Sequence, residues 1–341
     1  MNMKKLFNNE AGVSPIVATL VLVVVAIAGA AAVGTILGSF SGDVSDNANS
    51  ANAMGSASTE ILVAGSSTVQ PVSELIAKEF MANNPGIKVT VQSGGSDAGI
   101  ASAGMGIVDI GAASKFMDDA AKKKFPNLQE HVIGGSAVVV IVNKADSPLA
   151  ANVTSLTRAD LKSLYNAIQN DATTNVTSGT IVYQRTEGSG TEETFAKFVE
   201  LGSDVDGAKD DTDAVKTLQK NAIGNEGVLD AVISTPKSIG FVDYGFAAKN
   251  KDKVAIVSIL ENGVVYTADD VTIKAAVKEQ LNGATSSTNW PLGSKGLCRP
   301  LVYLTDGQPS SLVNTYLQFA MSPASLESFH GSGYYGITEL Q

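Results

Sequence analysis

The chain opens on an uninterrupted apolar run. No charged residue occurs from Ala11 to Gly42, and Ile16 to Leu37 is almost wholly Val, Ala, Leu, Ile, Gly and Thr. As a helix that run measures about 33 Å, which matches a bilayer core. Lys4 and Lys5 precede it, so the charge bias predicts a cytoplasmic start and a single membrane pass, with the remainder on the extracytoplasmic side. A cleaved secretory signal is the alternative. Against it, the run exceeds the usual apolar core of about 7–15 residues, and Asn8, Asn9 and Glu10 separate it from the lysines. Residues 41–58 are small and polar with no apolar period, which is the composition of a flexible linker.

From residue 59 the pattern alternates between periods of two and of 3.6. Glu60 to Ala64 reads as a strand stopped by Gly65. A helix follows, with Pro71 in its first turn and Val72, Leu75, Ile76 and Phe80 on one face. Strands are predicted at 87–91, 108–112, 180–183, 238–242 and 300–304. The β-branched run Ala137 to Val142 reads as a strand buried on both faces, preceded by a loop holding Gly134 and Gly135. Helices are predicted from Ser96 to about Met105 and at 161–168, 191–201, 227–234 and 311–321. The alternation implies α/β architecture with largely parallel sheets. There is no internal repeat.

Composition narrows the chemistry. The 341 residues carry a net charge of −10, so a nucleic-acid backbone finds no broad basic surface here. A small anion in a focused pocket is compatible with that balance. One cysteine forbids an internal disulfide, and two histidines with it cannot form the usual zinc ligand sets. No cofactor is expected.

Three predicted strand-to-helix loops are built from Gly, Ser and Thr: Ala64-Gly65-Ser66-Ser67-Thr68, Ser93-Gly94-Gly95-Ser96-Asp97 and Glu187-Gly188-Ser189-Gly190-Thr191. Small residues let backbone N–H groups approach an anion, and a helix start adds partial positive charge. Each loop taken alone is explained by ordinary helix capping. The third differs, because Arg185 stands four residues before Ser189 and can turn its fork toward an oxyanion there. Glu187 is close enough to hold that arginine, or to form a surface pair with it.

Other chemistries find less support. The chain lacks the Gly-x-x-x-x-Gly-Lys-Ser/Thr phosphate loop. Gly94-Gly95-Ser96-Asp97-Ala98 approaches a nucleophile elbow, but Ala98 stands where the second glycine belongs. His131 and His330 read as structural or surface residues, Cys298 as a packed thiol, and Lys122 to Lys124 as a solvated run. No nucleophile–base pair is evident, so capture without chemistry is expected and enzymatic activity is not.

Two resemblances follow. Glu10-Ala11-Gly12-Val13-Ser14-Pro15-Ile16-Val17-Ala18 resembles the signal of archaeal type IV pilin-like proteins. It implies a prepilin-type peptidase cutting after Gly12 and a helix retained as a membrane anchor. The blocks GSSTVQPVSELIAKEF, VTVQSGGSDAGI, VDIGAASK, RTEGSGTEETF, SIGFVDYGFA and WPLGSKGLCRPLVYLTDGQPSSLVNTYLQFAMSP resemble, in order, the substrate-binding proteins of phosphate ABC transporters, the PstS family. That resemblance runs from about residue 60 to the end. It implies a two-lobed periplasmic-binding-protein (type II) fold with a hinge, closing over inorganic phosphate and docking on ABC permease subunits. The expected organisation is a signal n-region at 1–12, a transmembrane helix at 13–40, the linker at 41–58, lobe 1 at 59–135 and 296–341, and lobe 2 at 136–295. The expected phosphate-binding set is Ser67, Thr68, Val69, Ser96, Ser114, Arg185, Ser189, Gly190 and Thr191, supported by Glu187.

One departure stands out. Many members of the family carry an Asp after the Val-Asp-Ile-Gly strand that accepts the proton of bound phosphate, and this chain has Ser114 followed by Lys115. Some members carry Ser-Arg there. Asp109, within the strand, is the other candidate for the acceptor. The competing reading from a different class is a pilin-like filament or surface-array subunit with an oxyanion-binding head.

Overall fold

The computed structural model describes residues 59–145, 155–165, 180–185, 189–201 and 219–341. The signal, transmembrane, linker and pilin-like expectations for residues 1–58 lie outside them, as does Glu187. Among the described residues no helix is long and apolar enough to cross a membrane.

The strands are β1 (Glu60–Gly65), β2 (Lys88–Ser93), β3 (Ile110–Ala113), β4 (Leu128–Asn143), β5 (Ser155–Thr157), β6 (Ile181–Arg185), β7 (Gln219–Ala222), β8 (Ser238–Asp243), β9 (Val254–Glu261), β10 (Val264–Tyr266), β11 (Cys298–Asp306) and β12 (Tyr335–Gly336). The principal helices are α1 (Gln70–Asn83), α2 (Ser96–Gly104), α3 (Asp119–Lys124), α4 (Arg158–Tyr165), α5 (Gly190–Phe198), α6 (Gly224–Ser234), α7 (Tyr244–Lys249), α8 (Asp270–Leu281), α9 (Ser311–Ala320) and α10 (Leu326–Ser332).

Strand order runs β2-β1-β3-β11-β4-β8-β6-β7. β1 pairs parallel with β2 and β3, and β6 parallel with β7 and β8. Between these groups β11 and β4 run antiparallel to their neighbours. The sheet is therefore mixed, where the sequence pattern suggested a largely parallel one. The N-terminal part of β4 pairs with β11, and Val138 to Val142 pair with β8.

The expected glycine loop before Ala137 is not a loop. Gly134 and Gly135 are strand residues inside β4, and their lack of a side chain serves packing. A Cβ at Gly134 would lie 2.3 Å from the Tyr335 carbonyl oxygen, and one at Gly135 would lie 2.4 Å from Val277 Cγ1. Two hydrogens at these positions let β12 and α8 close on the strand.

Each sheet region has its own core. Ile61, Val63, Val72, Ile76, Phe80 and Tyr316 bury one face of β1 against α1 and α9. Around the C-terminal part of β4, Val138 to Val142 pack with Tyr165, Phe195 and Phe241. Phe195 and Phe241 stack with centroids 4.3 Å apart. A buried aromatic of this kind contributes about 2–3 kcal/mol of transfer free energy. Because Phe195 is on the inner face of α5, this core fixes the start of that helix.

Candidate functional site

The first loop forms where β1 ends. Gly65 has φ of +142° and a Cβ there would lie 2.1 Å from the Ala112 carbonyl oxygen, so only glycine lets β1 turn this close to β3. Ser66 Oγ then accepts the N–H groups of Thr68 (3.2 Å) and Val69 (3.4 Å). The Val69 amide, an expected phosphate donor, thus faces Ser66. Gly95, with φ of +88°, turns the chain into α2, at whose first position Ser96 is buried. Ser114 follows the C-terminal end of β3, and Ser189 caps α5 by accepting from the Thr191 (3.2 Å) and Glu192 (3.3 Å) amides.

These loops converge at the carboxyl ends of β1, β2, β3 and β6, the edge where open α/β sheets bind ligands. The hydroxyl oxygens of Thr68 and Thr191 are 3.1 Å apart. Ser96 Oγ accepts the amides of Ser114 (3.1 Å) and Gly190 (3.3 Å) and lies 3.3 Å from Ser114 Oγ. Arg185, 2% exposed, donates to Ser67 Oγ at 2.9 Å. Thus Thr68, Ser96, Ser114, Gly190 and Thr191 form one cluster, with Arg185 and Ser67 joined to each other. Asp109 is elsewhere: it precedes β3, and its carboxylate accepts the Leu62 amide at 2.8 Å. An acceptor at the far end of the strand cannot serve these loops.

The central group of the cluster was not among the expected residues. Arg299, 2% exposed at the start of β11, donates through Nη1 to Thr191 Oγ1 (2.8 Å) and Ser114 Oγ (3.2 Å). Through Nη2 it donates to Thr68 Oγ1 (2.9 Å) and Asp243 Oδ2 (2.6 Å). Asp243 ends β8, is fully buried, and accepts Ser136 Oγ (2.7 Å) and the Gly245 amide (3.1 Å) on its other oxygen. Asn225, at the start of α6, accepts the Asp243 amide (2.9 Å) and donates to Thr68 Oγ1 (2.8 Å). In sequence Arg299 is only the neighbour of Cys298 and Pro300. Its signals are the scarcity of arginine, of which the chain has three, and its place in the last of the resembling blocks.

At one side of the cluster Lys115 pairs with Asp97 at 2.7 Å and with Glu193 of α5. Burial disfavours the Lys115 charge, but the hydrogen bonds and fields of Asp97 and Glu193 outweigh it and raise its pKa. Burial likewise disfavours ionised Glu193, and Lys115 with Lys197 outweigh it in turn, lowering its pKa. The buried Cys298 thiol is pushed far up by desolvation and then by Glu279, so it is no thiolate nucleophile. Among the described residues no group of three His, Cys, Asp or Glu could hold a metal ion.

Several known proteins are similar to this chain in sequence or in fold. A family model of the PBP superfamily domain matches residues 48–324. The phosphate-binding protein PstS of Bacillus subtilis is 27% identical over 228 residues, 66% of this chain and 69% of that one. PstS of Staphylococcus epidermidis is 26% identical over 304 residues, 84% and 80% of the two chains. Among solved structures, an ABC-type phosphate transport receptor from Vibrio cholerae superposes with a TM-score of 0.57 at 21% identity, covering 81% of this chain and 99% of that one. The phosphate-bound periplasmic protein PfluDING gives 0.60 at 13% identity, covering 81% and 90%.

Proposed function

The chain belongs to the PBP superfamily domain family, and from that premise we propose that it is an extracytoplasmic phosphate-binding protein that delivers its ligand to an ABC permease. The observation that carries this is the convergence of hydroxyls from separate strand-to-helix loops, Thr68, Ser96, Ser114 and Thr191, around a buried guanidinium, with Arg185 nearby. Hydroxyls, helix-start amides and guanidinium groups are the donors that replace the hydration shell of a small oxyanion. The names of the relatives point to phosphate.

In this reading, lobe 1 (59–135 and 296–341) supplies Ser67, Thr68, Ser96 and Ser114, while the Val69 amide stays on Ser66. Lobe 2 (136–295) supplies Arg185, Ser189, Gly190 and Thr191, with Glu187 supporting Arg185. Phosphate entering between the lobes replaces the Thr68–Thr191 contact and accepts a hydrogen bond from each hydroxyl. Only a closed arrangement offers both, so ligand binding shifts the population toward closure. The closed, loaded body docks on the permease. The apolar span at 16–37 anchors it in the membrane, and residues 41–58 tether it at high effective concentration near that partner. An acidic surface does not oppose capture, because distant charges are screened while buried donors act at short range.

The test is titration calorimetry of the full-length chain in mild detergent, stripped of ligand, with phosphate and sulfate side by side. Saturable phosphate binding at micromolar or tighter dissociation constant (about −8 kcal/mol or better), lost in Arg185→Ala, is the expected result. Absence of phosphate binding refutes the reading, and equal binding of sulfate redefines the protein as a general oxyanion receptor.

A further inference from the structure

We propose that Arg299 is a positioning residue of this site: it fixes the hydroxyls of Thr68, Ser114 and Thr191 as donors, so that the site takes the deprotonated oxygens of a tetrahedral dianion. The inference rests on the phosphate reading above and adds to it the ionisation state of the ligand and the residue that selects it.

A hydroxyl offers two lone pairs and one proton, whereas guanidinium, amide and backbone N–H groups only donate. The proton directions therefore follow from the heavy atoms. Thr68 Oγ1 receives Arg299 Nη2 and Asn225 Nδ2. The Asn225 amide is oriented by its oxygen, which accepts the Asp243 amide. Both Thr68 lone pairs are taken, and its proton has Thr191 Oγ1 as neighbour. Thr191 Oγ1 also receives Arg299 Nη1, so it too has filled lone pairs and a proton to give.

The serines repeat the pattern. Ser66 Oγ receives two backbone amides and passes its proton to Ser114 Oγ at 3.1 Å. Ser114 Oγ receives Arg299 Nη1 as well. Ser96 Oγ is filled by the amides of Ser114 and Gly190. The protons of Thr191, Ser96 and Ser114 thus exceed the lone pairs the cluster can offer. An unprotonated oxyanion oxygen accepts them, while a protonated one would bring donor against donor. Asp243, the carboxylate in contact with the cluster, has its oxygens engaged by Arg299, Ser136 and the Gly245 amide.

Arg299 is the common element. The four N–H bonds of its two terminal nitrogens go to Thr191, Ser114, Thr68 and Asp243. A lysine could keep the ion pair with Asp243, but a point charge cannot hold three hydroxyls in one plane as the fork does.

The experiment measures phosphate affinity against pH for the full-length chain, Arg299→Lys and the double variant Arg299→Met/Asp243→Leu, with circular dichroism and melting to verify folding. The double variant removes both charges together, so neither is left buried alone, at the cost of the Asp243 bonds to Ser136 and the Gly245 amide. The unsubstituted chain should gain affinity roughly tenfold per pH unit below phosphate's second ionisation and level off above it, as expected if only the dianion binds. Folded Arg299→Lys should lose roughly 10- to 100-fold in dianion affinity and flatten the pH slope, because freed lone pairs can accept a ligand proton. Either folded variant with unchanged affinity and slope overturns the inference, as does collapse of both, which would make the pair purely structural. If the unsubstituted chain binds no phosphate, the reading on which this rests falls first.

Discussion

Thr68 and Thr191 are separated by 123 residues in sequence, yet their hydroxyl oxygens lie 3.1 Å apart. Nothing local brings them together. Thr68 precedes α1 and Thr191 is in the first turn of α5, and each helix is docked on a different core. The contact therefore reports on how two separately built halves meet. Because both hydroxyls also receive Arg299, it is a charge-anchored meeting point.

Replacing either hydroxyl by a methyl tests this point. Thr68→Val and Thr191→Val should each weaken phosphate binding roughly tenfold, on the order of 1–2 kcal/mol for one hydrogen bond to a charged ligand. Each also leaves one Arg299 N–H without its acceptor, and Thr68→Val strips Asn225 Nδ2 of one too, so melting should drop by a few degrees, more for Thr68→Val. Calorimetry beside thermal melts checks both numbers, and wild-type affinity in both variants would remove the threonines from the site.

Gly190 tests the close approach of α5 to Ser114. A Cβ there would lie 2.6 Å from Ser114 Oγ and 2.8 Å from its carbonyl oxygen. Backbone cannot yield as a flexible side-chain end can, so Gly190→Ala should push the α5 N-terminus away from β3. The expected result is a stability loss of about 1–3 kcal/mol together with at least a tenfold loss of phosphate affinity. Denaturant unfolding and calorimetry on the same sample read the two effects, and an unaffected affinity would show that this approach is dispensable.

What sequence could yield here depended on whether the signal was local. The strand at Glu60–Gly65 and the helix after Pro71 were legible because alternation and helical spacing are local, and the three Gly/Ser/Thr loops because turn chemistry is local. Gly134 and Gly135 misled for the complementary reason. Glycine marks a loop in sequence, but here it answers to β12 and α8, which approach from far along the chain. Arg299 shows the same limit at the site. Its partners lie at positions 68, 114, 191 and 243, and no spacing rule joins an arginine on a strand to residues so far apart along the chain. Asp109 looked eligible because strand position alone does not say which end faces the ligand.

The core under α5 sets how firmly the third loop is held. Phe195 is fully buried, stacked on Phe241 and edge-on to Tyr165 at 4.8 Å. Phe195→Ala should cost about 3–5 kcal/mol of stability by lost burial and the cavity left behind. In the fraction that stays folded at low temperature, phosphate affinity should fall less than it does for Gly190→Ala, since no ligand-facing group is changed. Chemical denaturation gives the first value. A loss below about 1 kcal/mol would mean the core refills and does not fix the helix.

The Lys115 pair gives a pH signature distinct from that of the ligand. Lys115, following β3, bridges Asp97 of α2 and Glu193 of α5, with only 14–15% of the Lys115 and Glu193 side chains exposed. Glu193 is held below its ordinary value near 4.5. Its contribution is therefore present above that value and lost as pH falls through the lower folded one. Lys115 is held above its ordinary 10.5, so its contribution is present below that value and lost as pH rises through the higher folded one. Between these limits the pair should add a constant increment, on the order of 1–3 kcal/mol for a largely buried charge-assisted bond. Glu193→Gln removes it while keeping the shape of the side chain. The melting difference between the two chains should be flat through neutral pH and shrink toward zero in acid below 4.5, where wild-type Glu193 takes up its proton. A difference that instead persists unchanged into strong acid would mean that Glu193 stabilises the chain by packing and that its charge has no part in joining α5 to β3.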